Sequence, residues 1–594
     1  ALKTSSTNTQ NTAVGTNAMC LTTANENTAV GYESLKTNAG GFYLTAVGKD
    51  SALSNTTGAY GVYVGRYAAR ANTTGFGNAV LGGNAFCANT TGGSNVAVGL
   101  CALQDNTIAD GNTAVGANSL LQNTEGASNT AVGKNALGSN TTASDNTAVG
   151  HQALFTNVTG ANNVAIGKNA LYYNTVSTNT AVGNLAMTNT STGAGNTAVG
   201  QNALTANTEG ENNVAIGKNA LDANTTADGS VAIGFDALTA QTTAGNNTAI
   251  GACALRTSQT GGSLVAIGFC ALSSNTGNQN TAIGDRAMKT NSSGILNTSM
   301  GYISMCDNSS GDCNTAIGTG ALKKNSTGDK NIAIGSAALD ANTTASCNTA
   351  FGVDALTANT TGCQNTAMGT DTLKANTTAC RQVAVGAFAL DSSNANYNVA
   401  VGVNALHAVT SGTENTAIGF QAGAWATNAT TGDHNTFLGA YTSPAAADDT
   451  NELVIGAYHQ IVGKGSNTGF IVAGGTGGIF NGSNASTWST TSDQRLKKNI
   501  VDNNIGLEKI SKIQVRNFEY RKEDEITDLP KDQVIEKEGI QLGVIAQEIE
   551  LIAPEMVKIE STGVKRVDPD NITWYLVNAI KELKAEIDEL KKGA

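Results

Sequence analysis

Residues Asn112–Ser128 read NTAVGANSLLQNTEGAS, one copy of a unit that recurs 27 times along the chain. Its first glycine recurs from Gly15 to Gly456, and 21 of the 26 intervals between these glycines are 17 residues long. A fixed period of this length predicts a solenoid, in which each coil stacks on the coil before it.

The residue types within the unit favour β-structure over helix. The residues before the first glycine alternate and are rich in Thr, Val and Ile, which predicts a short strand. The Ala-Leu pair after that glycine predicts a second short strand, and Asn-Thr-Thr-Gly predicts the closing turn. Coils that pair in parallel at about 4.8 Å would make residues 1–456 a rod of roughly 130 Å.

Neighbouring side chains of the strand are expected to face opposite ways. The third position of the unit is nearly always Ala, as at Ala131, which suits a narrow interior. The fourth position is aliphatic, as at Val132, and should point outward because side chains alternate along a strand. Identical Asn and Thr side chains should stack in hydrogen-bonded ladders between coils. An apolar stripe along the outside of the rod predicts a homo-oligomer.

The N-x-A-[VI]-G pattern of residues 11–456 resembles the parallel β-roll of trimeric autotransporter adhesin heads, whose units are shorter. The resemblance implies a homotrimer of parallel rolls. The fold class predicted for the chain is therefore mainly β: a homotrimeric parallel β-solenoid followed by a small α+β domain.

Cysteines and Asn-Thr-Thr sequences within the repeat are interpreted as structural. Ten cysteines lie before residue 492, in slots that hold small residues in other units, which predicts buried free thiols and leaves oxidation open for stacked pairs. Eight Asn-Thr-Thr sequences are formal N-glycosylation acceptors but fit a turn and ladder motif. Their asparagines are Asn55, Asn72, Asn89, Asn140, Asn224, Asn342, Asn359 and Asn376. The Cys and His spacings match no zinc site, so no metal or cofactor is expected.

The composition of the chain changes at Ser492. Of its 80 charged residues, 38 lie in residues 492–594. This change predicts three parts: a solenoid of 27 coils (1–456), a Gly-rich β capping segment (457–491) and the small α+β domain (492–594). The net charge of −12 argues against nucleic acid as the main partner. No apolar run is long enough to insert into a membrane.

The C-terminal domain ends in an amphipathic segment. Its apolar residues are spaced 4, 3, 4 and 3, which predicts a coiled-coil seam of about two heptads. These residues are Leu576, Ile580, Leu583, Ile587 and Leu590. So short a seam is expected to set the register of a trimer that is held together elsewhere.

Two motifs of this domain point to a known family. Residues 492–500 read SDQRLKKNI and residues 543–548 read GVIAQE. Together with the terminal helix they resemble the peptidase S74 family, the intramolecular chaperones that end many phage tail fibres and tailspikes. The resemblance covers residues 492–594. It implies a domain that trimerises, assists folding of the fibre before it, and then cuts itself off.

The resemblance also implies the residues of a single-turnover serine autopeptidase. Ser492 would be the nucleophile, Lys497 its base, and the bond between Ser492 and Asp493 the cleavage site. A lysine can serve as base where burial favours its neutral amine, and Ser-Lys pairs are a known variant of the serine protease triad. Arg495 and Asn499 are supporting candidates that would hold the loop or polarise the scissile carbonyl.

The sequence therefore predicts a trimeric structural fibre of a virus particle that attaches to a host. Such a fibre would lie on the virion surface after assembly in the host cytoplasm. Its expected partners are further copies of itself, a host surface receptor or glycan, and other virion proteins. A non-viral cell-surface or secreted adhesin with the same chaperone is one alternative. An ice-binding solenoid is another, although the Thr slots lie beside turns. A glycan-hydrolysing spike is the third, although the repeats offer no recurrent paired carboxylates.

Overall fold

The computed structural model describes residues 9–456, 460–472, 478–482, 489–490, 494–526, 535, 537–560 and 563–593. The chain divides into two compact units, Ala1–Thr491 and Ser492–Ala594.

The first unit is a parallel β-solenoid of about 27 turns, as predicted. Each coil contributes one short strand that pairs in parallel with the strands of adjacent coils, in steps of 17 or 16 residues except for one step of 20 from Thr416 to Thr436. In this register residues of the same type pair with one another: Thr113 with Thr130, Ala114 with Ala131 and Val115 with Val132. The three-residue strands are Thr12–Val14, Thr28–Val30, Thr45–Val47, Val62–Val64, Ala79–Leu81, Val96–Val98, Thr113–Val115, Thr130–Val132, Thr147–Val149, Val164–Ile166, Thr180–Val182, Thr197–Val199, Val214–Ile216, Val231–Ile233, Thr248–Ile250, Val265–Ile267, Thr281–Ile283, Thr298–Met300, Thr315–Ile317, Ile332–Ile334, Thr349–Phe351, Thr366–Met368, Val383–Val385, Val399–Val401, Thr416–Ile418 and Thr436–Leu438.

The prediction of a second strand at the Ala-Leu pair is wrong for most of the solenoid. The pair lies in a tight turn, where Asn135 and Leu137 have φ of 61° and 49°. Alternate residues in the left-handed region cannot form an extended strand, although Leu137 still donates its N–H to the next coil, at Ala153. Within the described residues, a strand occurs at this place only near the C-terminal end, where Thr442–Ser443 pairs in parallel with Ile461–Val462.

Small apolar side chains fill the coil, and larger ones line the outside. In one coil Ala131, Ala136 and Leu137 are fully buried. The last residue of each three-residue strand, from Val14 to Leu438, is apolar and partly or fully exposed. These residues, continued by Ile455, are called the apolar column below. Alternation along the strand thus produces both the interior and the outward stripe that the sequence predicts.

Asparagine ladders run through the interior, as expected from the repeat. Asn123 donates from Nδ2 to Oδ1 of Asn106 (3.0 Å) and accepts from Nδ2 of Asn140 (2.7 Å). A second ladder joins backbone to side chain, and Asn129 donates its N–H to Oδ1 of Asn112 (2.9 Å). All eight asparagines of the Asn-Thr-Thr sequences are fully buried, which favours the ladder interpretation over glycosylation.

The Asn123→Ala variant is expected to destabilise its part of the solenoid by about 2–4 kcal/mol. It removes the bonds to Asn106 and to the carbonyl of Gly126 (2.9 Å), and it leaves Asn140 with one of its two acceptors, the carbonyl of Ala143. Amide hydrogen exchange over residues 106–140 measures this loss. Gln122→Ala is the control: Gln122 is exposed, so we expect a change within about 0.5 kcal/mol. Equal protection in both variants would contradict the role of the ladder.

The polar corner is a column of side chains that caps backbone N–H groups between coils. It consists of the residue three positions before each strand, such as Asp110, Ser144 and Asp329. Asp110 accepts from the N–H of Gly93 (2.6 Å), Ser144 from Ala127 (3.0 Å) and Asp329 from Asp312 (2.8 Å). These caps satisfy donors that the strand ladder leaves unpaired.

The last coils close the solenoid. The parallel pairing continues through Leu453–Gly456 to Thr468–Val472, one strand beyond the predicted last coil, and then turns antiparallel at Gly478–Gly482 and Ser489–Thr490. Glu452 takes the place of a ladder asparagine and accepts from the N–H groups of Lys464 and Gly465. Burial raises the pKa of Glu452.

The second unit is a small α+β domain with a terminal helix, as predicted. Within its described residues, the α-helices are Leu507–Ile510, Ala546–Ile552 and Ile572–Lys592, and the 3₁₀ turns are Gln494–Leu496, Glu523–Glu525, Pro554–Met556 and Pro569–Asn571. Arg516–Phe518 pairs antiparallel with Gln541–Gly543, and Val557–Ile559 pairs antiparallel with Lys565–Val567. Four buried residues form the core of the domain: Ile549, Ala553, Met556 and Tyr575.

Candidate self-cleavage site and its supporting domain

The predicted catalytic pair lies at the start of the second unit. Ser492 and Asp493 lie outside the described residues, so the structure gives no distance between Ser492 and Lys497. Lys497 follows the 3₁₀ turn Gln494–Leu496 and donates its backbone N–H to the carbonyl of Gln494 (3.1 Å). This bond fixes the direction in which the chain leaves the turn.

The supporting candidates lie on the same exposed segment. Arg495, Lys497 and Asn499 are all exposed in the single chain. Asn499 has φ of 55°, a left-handed conformation that Asn adopts more readily than most residues, and it bends the chain after Lys497. The polar side chains of this segment are therefore on the surface of the single chain.

The first and last residues of the GVIAQE motif, Gly543 and Glu548, both have structural roles. A Cβ added at Gly543 would lie 2.9 Å from the Phe518 ring, so a larger residue would displace that ring from the paired strands. Glu548 accepts two hydrogen bonds from the Arg516 guanidinium, at 3.0 and 3.2 Å. The motif therefore joins the helix Ala546–Ile552 to the hairpin that precedes it.

The first helix of the domain packs closely on the terminal helix, Ile572–Lys592. A Cβ at Gly506 would lie 2.2 Å from the backbone nitrogen of Ala579, so only glycine allows this approach. Leu507 donates its N–H to the Glu582 carboxylate (2.9 Å). These contacts could not be predicted from the sequence, because residues 70 or more positions apart leave no periodic signal.

A polar cluster of Lys509, Glu555 and Tyr575 ties three elements of the domain together. Lys509 and the Tyr575 hydroxyl both donate to the Glu555 carboxylate. Burial opposes ionisation of Glu555, but these two hydrogen bonds outweigh it and lower the pKa of Glu555 to about 2. The hydrogen bond to Glu555 also raises the pKa of Lys509.

The second unit is expected to lose stability as the pH falls from about 4.5 to about 2. A carboxyl group whose pKa is lower in the folded state stabilises that state above its unfolded pKa, and the contribution disappears on protonation. Because the Glu555 side chain is 37% exposed, solvent screening reduces the contribution to about 1 kcal/mol. Hydrogen exchange of residues 572–592 in the full chain, measured across this pH range, tests the expectation.

Glu555→Gln is the informative variant for this cluster. It should weaken protection at neutral pH and flatten the acid dependence, whereas Glu586→Gln on the exposed face of the terminal helix should change neither. If protection is still lost at low pH in Glu555→Gln, other carboxyl groups cause that loss.

The terminal helix has a second apolar face besides the one that packs on the domain. Tyr575 and Ala579 are buried, whereas the five residues of the predicted seam are all exposed. The seam residues are Leu576, Ile580, Leu583, Ile587 and Leu590. Their role in a trimer stays a prediction.

The described residues contain neither a metal-binding cluster nor a membrane-spanning helix. Within the described ranges, no three His, Cys, Asp or Glu side chains are grouped so that they could hold a metal ion. No helix in the described part of the chain has both the length and the apolar character needed to cross a membrane.

Comparison with known proteins identifies the start of the second unit. Residues 492–558 match the model of the peptidase S74 family, described as the chaperone of endosialidase. Members of this family are intramolecular chaperones with autoproteolysis. A β-solenoid shaft followed by this domain fits a tail-fibre-like or tailspike-like protein. No curated protein and no solved structure matches the chain.

Proposed function

We propose, from the match of residues 492–558 to this chaperone family directly after a parallel β-solenoid, that the chain is a trimeric structural fibre. The second unit would trimerise, assist folding of the solenoid and then release itself by cutting between Ser492 and Asp493. The position of the match carries the proposal, because a chaperone of this kind acts on the chain in front of it.

The apolar column supports self-association of the solenoid. Its residues are exposed in the single chain, for example 38% at Ile216 and 36% at Ile250. They repeat in every coil along one face, and so long an apolar stripe marks an interaction surface. Identical columns on identical chains complement one another in a closed symmetric assembly.

The second unit exposes further large apolar side chains. Leu542, Leu551 and Trp574 are 76%, 89% and 66% exposed, respectively. Together with the five seam residues they give the unit eight exposed large apolar side chains, against four buried residues in its core. Burial of this surface between three copies would stabilise the unit at about 25 cal/mol per Å².

Autoproteolysis in the fibre would follow from Ser492 as nucleophile and Lys497 as general base. Lys497 is exposed in the single chain. Burial against neighbouring copies would favour its neutral amine, so cleavage would follow assembly and act as a check on it. Arg495 and Asn499, on the same exposed segment, would position the scissile bond.

The released fibre would lie on the surface of a virus particle and contact a host receptor or glycan, after assembly in the host cytoplasm. Detection of the chain in purified virus particles tests this placement. Its presence on the surface of uninfected cells and absence from particles would favour the adhesin alternative.

Sedimentation of the expressed full chain tests the trimer. We expect the wild type to sediment as a trimer and the Ile216→Asp/Ile250→Asp variant as a monomer that keeps its β-rich circular dichroism, because two charges per chain would lie in the apolar contact.

The matched control places the same charges in the same coils on the polar side. Asn212→Asp/Asn246→Asp changes exposed residues and should leave the trimer intact. A monomeric wild type, or a trimer that forms equally well with both pairs of substitutions, would refute assembly through the apolar column.

A further inference from the structure

Cys363 and Cys380 lie one above the other on the polar corner, in adjacent coils. Their Sγ atoms are 2.9 Å apart, and the N–H of Cys363 donates to Sγ of Cys380 at 3.0 Å. Both side chains are partly exposed, contrary to the buried positions expected for the ten cysteines. We propose that this pair is an oxidation site, at which a disulfide forms and ties the two coils together.

The fold brings the two residues to the spacing that a disulfide needs. Stacked residues of a parallel solenoid have Cα atoms about 4.8 Å apart, within the range of about 4.4–6.8 Å seen in disulfides. Both sulfur atoms already lie on the same side of the corner, because each occupies the position from which Asp or Ser caps an N–H elsewhere. The two cysteine side chains therefore need only rotate to form the bond, and the backbone can keep its course.

The neighbourhood keeps the pair accessible in an assembled fibre. The polar corner carries charged residues in other coils, including Asp110, Asp228 and Asp329, whose carboxylates accept hydrogen bonds from the preceding coil. A column that contains repeated carboxylates is suited to solvent and unsuited to an apolar contact between chains. A small oxidant would thus reach Cys363 and Cys380 whether or not the apolar column is covered.

The chemistry is a two-step exchange with a small-molecule disulfide such as glutathione disulfide. One cysteine, as thiolate, attacks a sulfur atom of the oxidant, forms a mixed disulfide and releases one glutathione. The second cysteine loses its proton and attacks the protein sulfur of the mixed disulfide, forming the Cys363–Cys380 bond and releasing the second glutathione. The protein pair loses two electrons and two protons, and the oxidant is reduced to two thiols.

The test treats the full-length protein with glutathione disulfide, alkylates the remaining thiols, and then denatures and digests it with trypsin. Cleavage at Lys330, Lys374 and Arg381 separates the two cysteines into peptides 331–374 and 375–381. We expect these peptides to be joined, with Cys347 alkylated and a mass two hydrogens below the sum of the two peptides in that form, and to separate on reduction. Recovery of both peptides alkylated after oxidation would overturn the proposal.

Two variants assign the bond, because peptide 331–374 also contains Cys347. Cys363→Ser should abolish the joined species, and it should fold because Ser144 caps an N–H from the same column. Cys347→Ser should retain it. A joined species that survives Cys363→Ser, or a chain dimer on a non-reducing gel, would show that a different pair reacts.

The consequence for the solenoid is measured by hydrogen exchange of residues 363–380. The disulfide closes a loop of one coil and should slow local exchange at least about tenfold relative to the reduced protein. The Cys380→Ser variant should show no difference between oxidising and reducing conditions. A wild type that is oxidised at this pair and still exchanges at the reduced rate would refute the stabilising role.

Discussion

The Ser492→Ala variant is expected to remain one chain of 594 residues under conditions in which the wild type yields a fragment of residues 493–594. Removal of the hydroxyl removes the proposed nucleophile, and loss of such a group lowers the rate by at least about three orders of magnitude. Assembly should persist, since the substitution removes one oxygen atom and no apolar surface. Denaturing electrophoresis and intact mass of the two proteins measure the effect.

Substitutions of Lys497 and Lys498 distinguish a lysine that acts as a base from one that supplies only a positive charge. Lys497→Arg keeps the positive charge, but arginine does not deprotonate in proteins, so cleavage should be lost. Lys498→Arg makes the same exchange at the next residue, which is also exposed, and should cleave like the wild type. Release of residues 493–594 from Ser492→Ala, or equal cleavage by both arginine variants, would contradict the proposed pair.

Gly234→Ala is expected to destabilise the solenoid around its coil by about 3–6 kcal/mol. Gly234 has φ of 138°, and an added Cβ would lie 2.6 Å from the carbonyl carbon and oxygen of Gly251 in the next coil. Both the backbone conformation and the spacing between coils would have to change. Hydrogen exchange of residues 217–268 gives the local free energy of opening before and after the substitution.

Gly320→Ala separates the steric effect from backbone preference. Gly320 has φ of 66° and open space where a Cβ would be added, and Ala337 occupies the same place in the next coil with φ of 55°. Its substitution should therefore change stability by no more than about 1 kcal/mol. If Gly234→Ala and Gly320→Ala lose similar amounts of stability, close contact between coils is not the reason for glycine at position 234.

Most of the solenoid was predictable because one unit carries its own fold information. The alternation of Ala131 and Val132 identifies the inner and outer faces, and identical asparagines at a fixed period can only meet one another when coils stack. The turn at Leu137 was not predictable in the same way. Ala and Leu are compatible with a strand, and only the tight closure of the coil forces alternate residues into the left-handed region.

Less of the second unit could be derived from its residues. The seam from Leu576 to Leu590 follows from heptad spacing, and the structure does place it on an exposed helix face. The cluster of Lys509, Glu555 and Tyr575 could not be found, because its members come from separate elements without a repeat. The role of Ser492 rests on resemblance to a family, and that residue lies outside the described ranges.

Native mass spectrometry of the freshly expressed wild-type chain tests the central claim most directly. We expect a complex of three solenoids that each end at Ser492, together with released C-terminal units of residues 493–594. A preparation that contains only folded single chains of 60.1 kDa, uncut and unassociated, would contradict both the trimer and the self-releasing chaperone.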